Sequence, residues 1–141
     1  MSKTLVVGSK TVTPRNFLLL ESLNKAGNYT HVTFGLIDEA LDEKKYKNNY
    51  IKMEHWNGTM MYDDGENMNI FELTIHCTKN YPKERPIIIF AQQSLEHKRL
   101  KKVCNSDGHL IEPVIQLIKS DETTLLGDYL TSVLNIIATY R

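Results

Sequence analysis

The sequence has no excess charge of either sign, few cysteines and no long hydrophobic run. Its 17 Lys+Arg residues balance 17 Asp+Glu residues in a chain of 141, so it lacks the positive excess of proteins that bind mainly nucleic acid. Its two cysteines, Cys77 and Cys104, are too few for a disulfide framework and favour a reducing compartment, for which we expect the cytoplasm and nucleus. No stretch reaches the roughly eighteen apolar residues of a membrane span, and the first residues do not read as a secretory signal. We therefore expect protein or small-molecule partners, with no nucleic acid and no membrane.

Motifs for cofactor or metal chemistry are also missing. The G-x-G-x-x-G, P-loop and G-x-S-x-G patterns are absent, so nucleotide cofactors and serine hydrolases receive no support. The candidate zinc ligands His76, Cys77, Cys104 and His109 lack the paired short spacing of structural zinc sites. We expect neither a cofactor nor a metal ion.

Cysteine with histidine is the remaining pattern for nucleophilic chemistry. Cys104 with His97 or His109 is the candidate pair, since a neighbouring base or cation activates a thiolate. The alternative is an ordinary loop thiol. Cys77 shares strand parity with Leu73 and Ile75, which predicts a core position where free cysteine behaves as a small hydrophobe.

A first helix is predicted over residues 14–26. Thr13 is a good N-cap, Pro14 suits the first helical position, and Gly27 is placed to end the helix. The stripe expected to be buried consists of Phe17, Leu19, Leu20 and Leu23.

Four strands are predicted next, because apolar residues either alternate or form a short unbroken run. They cover residues 30–36, 50–62, about 70–77 and 87–90. Asp63-Asp64-Gly65 supplies the turn of a hairpin between the second and third strands. The alternation places Thr33 and Ile70 on an outward face.

Residues 91–113 show almost no periodicity and are predicted to be a long loop with a solvated basic run. A final helix follows, with Ser120 or Asp121 as its cap. Its expected buried stripe is Leu125, Leu126, Tyr129, Leu130, Val133, Leu134 and Ile137. The order of helix, four antiparallel strands, loop and helix predicts an α+β fold of two layers.

Four short stretches resemble the ubiquitin-conjugating fold. They are Trp56-Asn57-Gly58-Thr59, Ile70-Phe71-Glu72-Leu73, Tyr81-Pro82-Lys83-Glu84-Arg85-Pro86 and Asn105-Ser106-Asp107-Gly108. The segment from Pro14 to Leu23 is similar to the first helix of the ubiquitin-conjugating enzyme variants, which pair with an active conjugating enzyme to build non-degradative polyubiquitin chains. The resemblance runs from about residue 13 to the end of the sequence, and it implies a member without the extra C-terminal helices of many active enzymes.

The resemblance also defines a catalytic register. Alignment on the Asn105–Gly108 stretch places Ile111 at the position of the catalytic cysteine and Lys101-Lys102-Val103 at the position of the HPN tripeptide. Isoleucine cannot form a thioester, and this register has no asparagine to stabilise an oxyanion. Cys104 lies seven residues before Ile111, about 20 Å away if the chain is extended. The resemblance therefore implies a non-catalytic subunit.

For such a subunit, the resemblance implies two binding surfaces. The active conjugating enzyme would be bound by Pro14, Arg15, Asn16 and Phe17, with Phe17 in a pocket of the partner. The alternative is that Phe17 packs into the core of this chain. Thr33, Thr59 and Ile70 would bind an acceptor ubiquitin and place its lysine at the partner's thioester. The alternative functions are a peptide- or ubiquitin-binding adaptor with the same fold, and an active enzyme that uses Cys104.

The domain organisation follows from the same alignment. Residues 1–12 are expected to be an N-terminal extension, and residues 13–141 the domain itself. The charged stretch at about 38–49 is longer than the corresponding segment of typical variants, which predicts an insertion.

Overall fold

The structure is a computed structural model that describes residues 5–7, 10–12, 14–37 and 53–141. The insertion expected at 38–49 and the N-cap Thr13 lie outside the described residues. Within the first twelve residues, strands β1 (Leu5–Val7) and β2 (Lys10–Val12) pair as an antiparallel hairpin, which the sequence did not predict.

Helix α1 spans Pro14–Asn24 and is followed by a single 3₁₀ turn. It buries Leu18, Leu19 and Ser22. Only Leu19 of the expected stripe is buried, whereas Phe17, Leu20 and Leu23 are exposed. The prediction was wrong for these three because apolar residues occur on more than one side of this helix, so the periodicity does not decide which side meets the core.

The four predicted strands form one antiparallel sheet in the order β3-β4-β5-β6. Their bounds are β3 Val32–Leu36, β4 His55–Asp63, β5 Met68–His76 and β6 Ile87–Phe90. The hairpin between β4 and β5 is also confirmed, with Gly65 at φ 94°. The predicted start of the second strand at Tyr50 lies outside the described residues. The inner face of the sheet supplies much of the core, including Val32, Phe34, Trp56, Met60, Phe71, Leu73 and Ile75.

Residues 91–113 are not the predicted loop, because they contain the short helix α2 (Lys98–Val103). Leu100 and Val103 are fully buried. The guanidinium of Arg99 donates to the backbone carbonyls of Ile137 and Tyr140 at 2.9 and 2.6 Å. A short helix with two inward side chains gives too little periodic signal, so the sequence pattern missed it.

Two more helices follow in the described part of the chain. Helix α3 spans Glu112–Ile115, and α4 spans Leu126–Thr139. Helix α4 contacts α1, α2, β3 and β4, which gives the two layers of the predicted α+β fold. None of the helices in the described ranges is long and apolar enough to cross a membrane. The stripe predicted for α4 is buried except for Leu125, which is half-buried.

The predicted cap of α4 at Ser120 or Asp121 is wrong. The Asp121 carboxylate instead accepts a hydrogen bond from the Thr123 N–H at 2.7 Å and forms a turn before the helix. The helix begins at Leu126, whose N–H donates to the hydroxyl of Ser22 at 3.1 Å. A buried side chain of α1 therefore satisfies one of the first N–H groups of α4, which have no partner within the helix itself.

Candidate functional site

The outer face of the sheet carries a row of polar side chains. Thr33 lies opposite Thr59, and Thr59 lies opposite Glu72. Thr33 and Glu72 are exposed, and Thr59 is half-buried. Strand register therefore makes Thr33 and Thr59, two of the residues that sequence reasoning selected, direct neighbours.

Ile70 lies on the same outer face, one step further along β5. It faces Met61, which places it diagonally across from Thr59. Its side chain is 60% exposed, so it presents apolar area to solvent. An exposed isoleucine beside two threonines makes a small mixed apolar and polar surface, suited to contact with another protein rather than to bond-making chemistry.

Next to these residues the outer face is concave. A groove of about 660 Å³ runs across β3, β4, β5 and β6, and Thr33, Thr59 and Glu72 are among its lining residues. The Glu72 carboxylate accepts a hydrogen bond from the side-chain amide of Gln93 at 2.7 Å. The groove thus offers hydroxyls and one oriented carboxylate.

A second surface lies at the start of α1. Phe17 is 41% exposed and Leu20 is 42% exposed, so the alternative that Phe17 packs in the core of this chain is wrong. Asn16 is half-buried, and the side chain of Pro14 lies outside the described residues. Two large apolar side chains one helical turn apart form a face that association with a partner would remove from water.

Arg15 lies beside this apolar face and is anchored within the chain. Its guanidinium donates to the carbonyl oxygens of Cys77 and Thr78, each at 3.2 Å. These bonds tie the first turn of α1 to the segment that leaves β5. Arg15 therefore holds the helix that presents Phe17.

The chain around Ile111 folds back on itself more tightly than the sequence predicted. Cys104 forms a β-bridge with Leu110, and the Ile111 N–H donates to the Val103 carbonyl at 2.9 Å. The side chain of Asn105 accepts hydrogen bonds from two backbone N–H groups of this turn. The prediction that Cys104 lies about 20 Å from Ile111 is wrong, because the chain folds back on itself between them.

The thiol of Cys104 is nevertheless poorly suited to attack. Its side chain is buried, and burial raises its pKa to about 12, so the reactive thiolate is scarce at neutral pH. His97 caps α2 by accepting from the Arg99 N–H and packs its ring edge-on against Phe71. His109 pairs with Ile89 in a β-bridge.

Cys77 has the same character, and its predicted core position is confirmed. It is fully buried. Burial is the main cause that raises the pKa of its thiol to about 12, and the nearby Arg15 charge opposes that shift. Both cysteines are free thiols, and burial keeps both in the unreactive form.

One cluster has the side chains to hold a metal ion. Glu54, His55 and His76 place a ligand atom each within 4.8 Å of one another, the one such group of three in the described part of the chain. The four candidate zinc ligands selected from the sequence do not form a group of this kind among the described residues. Spacing along one strand misses the observed cluster because its two histidines belong to different strands; the hairpin register is the signal that finds it.

Curated proteins of similar sequence decide the family. The chain is 30% identical over 112 residues to ubiquitin-conjugating enzyme E2 variant 1C of Arabidopsis thaliana, an alignment that covers 77% of this chain and 69% of that protein. The chain belongs to the ubiquitin-conjugating enzyme E2 variants. It is also 32% identical over 111 residues to variant 1B of the same plant, across 74% of this chain and 60% of that protein. Ubiquitin-conjugating enzyme spm2 of Schizosaccharomyces pombe matches at 34% over 83 residues, or 57% of this chain and 55% of that protein. No family model matches the sequence.

Solved structures confirm the fold of this E2 variant. A ubiquitin-conjugating enzyme E2 from Plasmodium falciparum superposes with a TM-score of 0.61 at 15% identity, covering 89% of this chain and all of that one. Human ubiquitin-conjugating enzyme E2 G1 gives a TM-score of 0.62 at 17% identity, over 90% of this chain and 98% of that one. At these identities the likeness establishes the ubiquitin-conjugating fold, as the sequence resemblance predicted.

Proposed function

We propose that this E2 variant is a non-catalytic subunit that binds an active conjugating enzyme and positions an acceptor ubiquitin for linkage-specific chain synthesis. The observation that carries the proposal is the exposure of Phe17 at the start of α1, at 41%. Large aromatic side chains are common among the residues that anchor protein interfaces. That the protein works in the cytoplasm and nucleus stays a prediction from its cysteine content.

The thiol chemistry of the chain supports a non-catalytic role. The family resemblance places Ile111 at the position of the catalytic cysteine, and its hydrocarbon side chain offers no nucleophile. Cys104 lies close to Ile111 in the fold, but it is buried, and burial raises the pKa of its thiol to about 12. A conjugating enzyme must exchange ubiquitin between thiols, a reaction whose rate depends on thiolate. The active thioester therefore comes from the partner.

The partner surface is the face formed by Phe17 and Leu20, with Pro14, Arg15 and Asn16 around it. Arg15 already bonds to the end of β5, so we assign it the role of fixing the angle of α1 as well as lining the contact. Phe17 supplies the apolar area that drives association. A rigid helix that presents one aromatic side chain reduces the ordering cost of binding.

The acceptor surface is the outer sheet face at Thr33, Thr59 and Ile70. These three are neighbours across β3, β4 and β5. Exposed Ile70 offers the apolar contact, and the two hydroxyls offer hydrogen bonds. An interface this small binds weakly, which suits an acceptor that must leave after each transfer.

A thioester assay tests the non-catalytic role directly. Activating enzyme, ATP and labelled ubiquitin are mixed with this chain, then with candidate conjugating enzymes added. We expect no reducible adduct on this chain, and unanchored chains only when both proteins are present, with the linkage read by mass spectrometry of the ubiquitin lysines. A reducible adduct that disappears in Cys104→Ser would show instead that the chain is an active enzyme.

Substitution of Phe17 tests the partner surface. Phe17→Ala should weaken binding to the active conjugating enzyme by at least about thirtyfold, the effect of losing a hot-spot side chain. Leu117→Ala is the matched control, because Leu117 is also a large exposed apolar residue but lies outside α1. Unchanged affinity of Phe17→Ala would overturn the assignment, and failure of the wild type to bind any conjugating enzyme would favour the adaptor function.

Substitution of Ile70 separates the two surfaces. Ile70→Ala should leave binding to the conjugating enzyme intact and slow chain formation about fivefold or more. Ile87→Ala removes a partly exposed isoleucine from β6 and serves as the control for chain synthesis. Equal rates for Ile70→Ala and the wild type would remove Ile70 from the acceptor surface.

A further inference from the structure

Two histidines stack across the hairpin of β4 and β5. His55 lies directly opposite His76, and their ring centroids are 4.6 Å apart with an angle of 15° between the ring planes. The close approach of the two rings follows from the strand register. Glu54 and Cys77 are a hydrogen-bonded pair, in which the Cys77 N–H donates to the Glu54 carbonyl at 2.7 Å. In an antiparallel ladder the next pair is then the non-hydrogen-bonded one, whose side chains lie closest together.

Glu54 adds a carboxylate to this pair. Its side chain and the two imidazoles each place one ligand atom within 4.8 Å of the others. In a tetrahedral zinc site the ligand atoms are about 3.4 Å apart, given metal–ligand distances near 2.1 Å. His55 is exposed, whereas Glu54 and His76 are half-buried. Rotation of the exposed His55 ring toward Glu54 and His76 would bring the ligand atoms to the separation that zinc needs.

We propose that Glu54, His55 and His76 form a binding site for a divalent transition metal ion, with Zn²⁺ as the metal. Two imidazoles with one carboxylate are a known ligand set for Zn²⁺, and the imidazole nitrogens disfavour Mg²⁺, which prefers oxygen ligands and retains its water. Three protein ligands leave a fourth position open. Glu54, His55 and His76 are not among the residues that line the groove at Thr33 and Thr59, and the metal site does not depend on the proposed function.

The position of the site defines what the metal would do. It joins the start of β4 to the end of β5, and the next residue along, Cys77, accepts the hydrogen bond from Arg15. A bound ion would fix the end of the hairpin at the place where α1 is tied to it. A metal that binds only the folded chain stabilises it by mass action.

Calorimetric titration of the full chain with ZnCl₂ tests the site. We expect one Zn²⁺ per chain, no binding of MgCl₂, and a rise in melting temperature with Zn²⁺ alone. His55→Gln and His76→Gln should each weaken Zn²⁺ binding by at least about tenfold and abolish the rise. His55 is exposed, so His55→Gln keeps its fold, which circular dichroism without metal verifies.

The matched control is His31→Gln, which removes an exposed histidine outside the cluster and should bind Zn²⁺ as the wild type does. The proposal is overturned if the wild type does not bind Zn²⁺. It is equally overturned if His55→Gln retains wild-type affinity, or if His31→Gln loses as much affinity as His55→Gln.

Discussion

The ring of Tyr29 packs directly on Gly127 and fills the space that a side chain at position 127 would need. A Cβ atom there would overlap the Tyr29 ring at Cε2 and Cζ. The Tyr29 hydroxyl also donates to the Asp128 carboxylate at 3.0 Å. These contacts hold the segment after α1 against the first turn of α4.

Gly127→Ala should destabilise the fold, although alanine is the better helix former. The ring of Tyr29 must move, and overpacking of this kind costs about 1–3 kcal/mol. Urea unfolding measures the free energy of unfolding. Gly27→Ala is the control, because a Cβ at Gly27 meets nothing within 4 Å. A Gly127→Ala variant as stable as the wild type would mean that Tyr29 does not hold this position.

Tyr29 should make the protein sensitive to alkali. Burial, then the hydrogen bond to Asp128 and its negative charge, raises the pKa of Tyr29 to about 12. The unfolded chain has the ordinary tyrosine pKa of about 10. The stabilisation is complete below pH 10 and is lost as pH rises toward 12, because only the unfolded chain ionises there.

Tyr29→Phe is the variant that isolates this effect. It should be less stable than the wild type at pH 8 because the bond to Asp128 is gone, and its stability should fall less steeply between pH 10 and 12. Unfolding free energies across that range provide the measurement. Parallel curves for the two proteins would contradict the assignment.

Ser22→Ala should cost about 1–2 kcal/mol of folding stability. It removes the acceptor for the Leu126 N–H and leaves that donor buried without a partner,. Thermal or urea unfolding checks the loss. The exposed Ser106→Ala is the matched control, and a similar small effect for both serines would argue against a cap supplied by α1.

Gly108→Ala should be the most damaging of the glycine substitutions. Gly108 has φ 91°, and a Cβ there would collide with the backbone carbonyl of Phe90. Gly65 has φ 94° with open space around it, so Gly65→Ala measures the cost of the backbone conformation alone, about 1 kcal/mol. Gly108→Ala should exceed that by about 2 kcal/mol in urea unfolding. Equal costs would show that Phe90 yields easily.

Both thiols should react slowly in the native protein. Burial raises the pKa of Cys77 and of Cys104 to about 12, and the disulfide reagent DTNB requires a thiolate. Reaction at pH 7.5 should release little product until urea unfolds the chain, after which two thiols react. Rapid labelling of native Cys104 would restore it as a candidate nucleophile.

The sequence predicted the sheet and the buried face of α4 well, because both have long, regular apolar patterns. It failed for α1, where Leu19 and Leu20 are both apolar and only packing decides that Leu19 is inside. The start of α4 depends on Ser22, a residue of another helix that no local signal connects to it.

The sequence also predicted some features of the candidate sites and missed others. Strand parity was enough to place Thr33 and Ile70 on the outer face. The distance from Cys104 to Ile111 was misjudged because an extended chain was assumed across a tight turn. The pairing of His55 with His76 requires the register of the hairpin, which a turn of uncertain length does not fix in advance.

The hydrogen bond between Ser22 and Leu126 joins residues 104 positions apart in the chain. During synthesis, the Ser22 hydroxyl therefore cannot accept this bond until Leu126, at the start of α4, has left the ribosome. Until then α1 also lacks α4, the helix that packs against it in the folded protein. A nascent chain that stalls before residue 126 exposes a helix with apolar residues on both sides, and exposed apolar surface of this kind makes a folding intermediate prone to aggregate.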